Sequence, residues 1–225
     1  MAGKMRREEN AEFAEWVREY RIVAIVRGLE STLCDRLAGA LFDGGVRMME
    51  VTFDQTGKLS QEETADAIRG LCGAWQGKML IGAGTMLTLQ QLELAKGAGA
   101  AYIVTPNTNP ALIRKAKELG MGVLAGAMTP SEICEAYEAG ADFVKIFPAS
   151  VLGPAYIKAV QAPLGHIPML AVGGINEKNI ADYLKAGAAG AGVGGGLVSR
   201  RNVESGNLDA IRELAREYVK NTKGV

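Results

Sequence analysis

The residues Tyr137–Pro148, YEAGADFVKIFP, contain the unit from which the chain is built. A helix-like segment closes on Gly140, and a short apolar run, Asp142–Pro148, follows at once. Glycine just past the end of a helix adopts the left-handed conformation cheaply, so AGA reads as a stop signal before a strand. The phrase recurs in KGAGAAYIV (Lys96–Val104) and KAGAAGAGV (Lys185–Val193), and more loosely in FDGGVRMME (Phe42–Glu50).

Working outward gives eight candidate strands: IVAIVR from Ile22, VRMMEVTF from Val46, KMLIGAG from Lys78, AAYIVTP from Ala100, GVLAGA from Gly122, DFVKIFP from Asp142, IPMLAVGG from Ile167 and AGAGVGGG from Ala189. Between them lie segments such as TLCDRLAGALFDGG (Thr32–Gly45) and TLQQLELAKGAG (Thr88–Gly99), with apolar residues at helical spacing. Regular alternation of strand and helix predicts a parallel sheet. The strands are apolar on both faces, as a sheet with helices on one side and a barrel interior on the other requires. A (β/α)8 barrel takes about 200 residues at the least, so 225 residues suffice for a compact one. An open, doubly wound sheet shows the same alternation; eight units and a glycine-rich last strand favour closure. With no linker or low-complexity tract, residues 1–225 read as one α/β domain, a (β/α)8 barrel. Residues 1–20 read as an additional N-terminal helix, because Phe13, Trp16, Val17 and Tyr20 recur at helical spacing.

The charges balance at 25 basic and 25 acidic residues, so nucleic acid and anionic membranes are not expected partners. The charged N-terminus does not resemble a signal peptide, and no apolar run reaches membrane-spanning length. Cys34, Cys72 and Cys134 are widely spaced, fitting a reducing cytoplasm and structural roles.

In such a barrel, function gathers at the C-terminal ends of the strands. Lys145 lies inside an apolar strand, where a lysine must pair, snorkel or serve chemistry. An ordinary amine with pKa near 10.4 is neutral in about one molecule in 2,500 at pH 7, whereas desolvation enlarges the nucleophilic fraction. Glu50 shares a face with Met48 and Thr52, and is expected to point into the barrel. There it could pair with Lys145 or move protons, and the two roles are compatible. Gly173 and Gly174 follow the seventh strand, and Gly194 and Gly195 the eighth, where barrels of this kind bind phosphate through backbone amides. The same glycines could equally serve close packing. Arg27 ends the first strand, either as a clamp for an anion or as a solvated rim residue. Thr85, Thr105, Pro106 and Asn107 offer small, hydroxyl-lined strand ends suited to a carboxylate. His166 falls in the loop before the seventh strand and reads as structural. The His, Asp and Glu residues show no metal-ligand spacing, which disfavours metal-dependent catalysis.

The motifs GGVRMMEVTF, IGAGTM, YIVTPN, DFVKIFPAS, GPAYIKA and AVGGI, in that order, resemble those of the 2-keto-3-deoxy-6-phosphogluconate / 4-hydroxy-2-oxoglutarate aldolase family. VTPN and KIFP lean towards its 6-phosphogalactonate branch. The resemblance spans Ile22 to about Val198 and implies a class I aldolase without a cofactor, commonly a homotrimer, acting on a 2-keto acid and releasing pyruvate. It matches Lys145 to the Schiff-base lysine and Glu50 to the acid/base. It places Arg27 and Thr85 near the pyruvyl carboxylate, Pro106 and Phe147 in the pocket walls, and Gly173, Gly174 and Gly194 in the phosphate loops. The chain departs from the family at two places. Asp54 stands where several members carry Arg, which leaves Arg27 to hold the carboxylate. Gly195 aligns with a Ser of many members, which removes a hydroxyl from the phosphate site. A phosphate-binding barrel isomerase, epimerase or synthase without an imine, and a non-catalytic sugar-acid binder, remain open alternatives on the residues themselves.

Overall fold

The computed structural model of the protein describes residues 13–224. Residues 13–20 are helical (α1). Strands β1 (Ile22–Arg27), β2 (Met48–Thr52), β3 (Leu80–Gly84) and β4 (Tyr102–Val104) follow, separated by helices α2 (Ser31–Asp43), α3 (Gln61–Ala74) and α4 (Leu89–Gly97). The second half brings α5 (Pro110–Glu118), β5 (Gly122–Ala127), α6 (Pro130–Glu138), β6 (Phe143–Ile146), α7 (Ala149–Leu164) and β7 (Met169–Val172). It ends with α8 (Ile180–Lys185), β8 (Gly190–Val193), α9 (Arg200–Glu204) and α10 (Leu208–Thr222). All eight strands pair in parallel and in chain order, and β8 pairs back onto β1. The expected closed barrel forms.

Local chemistry explains the boundaries. Gly99, Gly140 and Gly187 sit at φ +91, +106 and +107, so the AGA phrases are the left-handed helix stops that they promise. Ser60 with Glu63, Thr88 with Gln91, and Thr129 with Glu132 form reciprocal capping boxes that start α3, α4 and α6. Strands β1 and β5 coincide with their apolar runs, and the other six are shorter, because the outer residues of those runs enter the turns. Gly173 and Gly174 belong to the expected seventh run, yet at φ +94 and +74 they already lead the chain out of the sheet.

The core has two layers. Leu37, Leu41, Ile68, Ile113 and Ile133 fill the space between the strands and the helices. Val23, Met48, Tyr102, Leu124, Phe143 and Leu170 fill the barrel itself, joined by Phe13 and Val17 of α1. The N-terminal helix is therefore a plug. The Phe13 ring stacks on Tyr102 at 5.1 Å between centroids and meets Phe143 edge-on at 6.0 Å. Gly122 makes this possible, since a Cβ there would lie 2.4 Å from the Phe13 ring. The expected helix at 1–20 is thus seen for 13–20, and residues 1–12 lie outside the described part. With the N-terminal end sealed by rings, the buried polar residues Glu50, Thr52 and Lys145 stand on the strands of the barrel wall towards its C-terminal end.

Candidate active site

Glu50 and Lys145 come from opposite sides of the chain order, β2 and β6, and both are almost completely buried, at 1% and 4% exposure. Arg27 and Thr52 are register partners, and Ile25 is the partner of Glu50. At about 3.3 Å per strand residue, Glu50 therefore lies one inward-facing position below the Arg27–Thr52 level. Lys145 likewise precedes Phe147 by two residues. Glu50 fits because β3 presents glycine to it: a Cβ on Gly84 would lie 2.6 Å from Glu50 Oε1.

Burial lowers the Lys145 amine below its ordinary value; nearby Glu50 opposes this and Arg27 reinforces it. Burial raises the Glu50 carboxyl, against the pull of Lys145 and Arg27. Each group is thus pushed towards its neutral form, the pattern of an amine able to attack and a carboxyl able to exchange protons. Among the described residues Lys145 forms no salt bridge; its Nζ lies 5.1 Å from the centroid of the Phe147 ring. Glu50 Oε2 is buried without a hydrogen-bond partner. The pair is coupled without being locked together, which leaves both groups available to a substrate.

Above them, three cavities meet at Arg27. One of about 210 Å³ is lined by Arg27, Phe147, Gly173, Gly174, Gly194 and Gly195 among others, so it unites both glycine loops with the pocket wall. A second, about 270 Å³, runs from Gly194 and Gly195 to Arg200. The third, about 280 Å³, is lined by Thr52, Asp54, Lys58, Thr85 and Arg200. Arg27 Nη1 donates to Thr85 Oγ1 at 3.4 Å, so the two residues expected at a carboxylate do meet. Thr85 is held at φ +52, a left-handed conformation that threonine rarely adopts and that costs about 1–3 kcal/mol. A cavity of about 560 Å³ at the opposite end of the barrel holds none of the expected residues. There Arg47 is spent on the carbonyls of Phe42 and Val46, and Arg21 donates to that of Thr222.

Several expectations change on contact with the structure. Thr105 is fully buried and its hydroxyl is already used. It donates to the Asn107 carbonyl at 2.7 Å and accepts from the Gly126 amide at 3.1 Å, so it braces the β4 loop instead of holding a carboxylate. Pro106 packs on Gly126, where a Cβ would come within 2.4 Å of the Pro106 backbone. Asp54 is a loop anchor. Its carboxylate accepts from the amides of Thr56, Lys58 and Leu59 and from the Thr56 hydroxyl, bonds that hold it far below the usual carboxylate range. The glycines divide into two kinds. A Cβ on Gly174 would lie 2.3 Å from Ser150 Cβ, and one on Gly173 would lie 3.2 Å from Phe147, so both have a packing reason. Gly195 faces open space, with nothing within 4 Å of its would-be Cβ.

Arg200 was not singled out from the sequence. It begins a short helix, bonds Glu204 at 2.7 Å, and brings positive charge to two of the three cavities. Gly84 was also missed, although the alternation of Gly82 and Gly84 in IGAG signals an inward face kept empty for a neighbour. His166 packs edge-on against Tyr137, consistent with a structural role. Among the described residues no cluster of three or more His, Cys, Asp or Glu side chains is placed to hold a metal ion. None of their helices is long and apolar enough to cross a membrane.

The sequence model of the family described as "Aldolase: KDPG and KHG aldolase" matches residues 13–214. The chain belongs to the KDPG and KHG aldolase family. It is 38% identical over 184 residues to the 2-dehydro-3-deoxy-6-phosphogalactonate aldolase of Escherichia coli K12, covering 81% of this chain and 87% of that one. Over 206 residues it is 35% identical to the 2-dehydro-3-deoxy-phosphogluconate aldolase of Haemophilus influenzae, covering 91% and 94%. Among solved structures it superposes with TM-score 0.81 on a KDPG aldolase from Legionella pneumophila "with pyruvate captured at low pH as a covalent carbinolamine intermediate". That match is 26% identical and covers 90% of this chain and 96% of the other. Membership makes the chain an aldolase, hence a lyase, on the same barrel as its relatives.

Proposed function

We propose that the protein reversibly cleaves a 2-keto-4-hydroxy acid into pyruvate and an aldehyde through an imine on Lys145. The observation that carries this reading is the buried, unlocked Lys145–Glu50 pair beneath an arginine-lined mouth. A neutral Lys145 amine adds to the C2 ketone to give a carbinolamine, and a proton from the Glu50 carboxyl to its hydroxyl expels water, leaving a protonated imine and a Glu50 carboxylate. Removal of the C4 hydroxyl proton then lets the C3–C4 electrons move into the imine, which leaves an enamine and releases the aldehyde. Glu50 carries this proton, directly or through a water, and returns it to C3 to give the pyruvyl imine. Water adds at C2, pyruvate departs and the amine is regenerated. No cofactor enters these steps. Arg27 and Thr85 hold the carboxylate of the substrate, while Pro106 and Phe147 wall the pocket.

The distal group of the substrate is assigned to the cavity lined by Gly173, Gly174, Gly194 and Gly195, with Arg200 as a further cation. Gly174→Val is a poor probe of that site, because it would strike Ser150 whatever the ligand. Gly195→Ser is the clean one. Pyruvate release is to be compared on 6-phosphorylated 2-keto-3-deoxygluconate, its galactonate epimer and 4-hydroxy-2-oxoglutarate. With one added hydrogen bond worth about 0.5–1.5 kcal/mol, Gly195→Ser is expected to favour the phosphorylated acids over hydroxyoxoglutarate by roughly 2- to 12-fold in kcat/KM. Equal effects on both classes would move the distal group elsewhere, and release of pyruvate from none of the three would overturn the aldolase assignment of the site.

The chain is read as one barrel domain, assembled as a homotrimer in the cytoplasm. Exposed Leu87, Leu89, Met128 and Val151 on the C-terminal side of the barrel support a surface that meets other copies, and three free cysteines suit a reducing compartment. Sedimentation equilibrium should return three times the mass of the chain; the mass of a monomer would exclude the assembly.

A further inference from the structure

Two buried oxygens in the barrel interior lack partners, and both belong to neighbouring side chains. Glu50 Oε2 is one and the Tyr102 hydroxyl is the other. Tyr102 is completely buried, and its ring is held between Phe13, stacked at 5.1 Å beneath it, and β3. A Cβ on Gly82 would lie 2.4 Å from Tyr102 Cζ, so the hydroxyl-bearing end of the ring lies against Gly82. Gly82 is the strand partner of Glu50, and the Glu50 carboxyl rests on Gly84, the next inward position of the same strand. The two glycines therefore clear adjacent places for one phenol and one carboxyl. A buried hydroxyl with no partner costs about 1–3 kcal/mol, and a phenylalanine ring would fill nearly the same place without that penalty.

We propose that Tyr102 is a positioning residue for Glu50, its hydroxyl donating to a single bridging water that in turn donates to Glu50 Oε2, and so fixing the carboxylate from the sealed side of the barrel. The inference rests on the reading of Glu50 as the proton carrier. The bond is made to the ionised carboxylate, so it offsets part of the cost that burial places on the charged form. The groups that face Glu50 are then Lys145 from β6, Arg27 from β1 and Tyr102 from β4, while β3 contributes glycine alone. The titration of Tyr102 itself is not involved: burial first, then Glu50 and Cys72, raise it well above its ordinary value, so it stays a neutral donor.

The test is Tyr102→Phe, which keeps the ring and its stack on Phe13 and deletes one oxygen. The acid limb of the kcat/KM profile reports the form of Glu50 that accepts a proton. Loss of a hydrogen bond to the ionised form favours protonation, so the midpoint of that limb should move to higher pH by about one unit, a tenfold loss of rate on its acid side. The thermal midpoint is measured alongside. A profile that superimposes on the wild type, with a raised thermal midpoint, would overturn the proposal, because it would mean that the hydroxyl was simply unsatisfied. Glu50→Gln separates the two levels of the argument. If it erases the acid limb while Tyr102→Phe leaves the limb in place, the positioning role fails and the proton carrier stands. If the limb survives in Glu50→Gln, the reading of Glu50 fails first and the proposal with it.

Discussion

Lys145→Arg is expected to abolish pyruvate release on every substrate, with the barrel still folded. A guanidinium stays protonated and cannot form the imine, however well it fills the place of the amine. Borohydride reduction in the presence of pyruvate should leave a stable adduct on the wild-type protein, mapped to the peptide carrying Lys145, and none on the variant. Lys145→Met provides the control for folding. It is uncharged and unbranched, and removes the amine without placing a larger cation beside Val144 and Ile146, the strand neighbours of Lys145. Circular dichroism matching the wild type for either variant, together with absent turnover, confines the loss to chemistry. An adduct on any other lysine, or residual cleavage above the uncatalysed rate in both variants, would remove Lys145 from the mechanism.

Glu50→Gln should cost about 10²–10⁴ in kcat, the usual contribution of a general acid–base. The amide keeps the shape of the carboxyl over Gly84, so the substrate should still bind. The imine with pyruvate should form more slowly yet still be trapped. Stability provides an independent readout. The carboxyl is buried and raised by that burial, so a neutral isostere removes a destabilised charge. A thermal midpoint at or above that of the wild type, combined with the loss in rate, is the signature of a residue retained for function. Near-normal turnover would show that another group or water alone carries the proton.

How much of this was legible beforehand differs from element to element. The AGA phrases and the alternating apolar runs contain the barrel, because helix stops and strand patterns are local physics and need no distant partner. Lys145 and Glu50 were legible for a related reason: an ion in an apolar strand is anomalous wherever the strand ends up. Resemblance then attached roles to Arg27, Thr85, Phe147 and the glycine pairs. Thr105 was misread, since a hydroxyl at a strand end looks available until the Gly126 amide and the Asn107 carbonyl are seen to occupy it. Asp54 looked like a missing arginine, and is instead the anchor of its own loop through bonds from Thr56, Lys58 and Leu59.

What the sequence determined by itself was the order of the elements, the closure signals and the two ionisable groups that do not belong in a core. Only the tertiary structure decided what meets across the barrel. That Phe13 plugs the bottom, that Gly82 and Gly84 make room for Tyr102 and Glu50, and that Arg200 reaches the cavities of Arg27 are consequences of strand register and barrel closure. Those relations join residues far apart in the chain, and no local pattern encodes the distance between them. A glycine in a strand reads the same whether it spares a ring, frees a carboxylate or faces an empty site; the side chain across from it makes the difference.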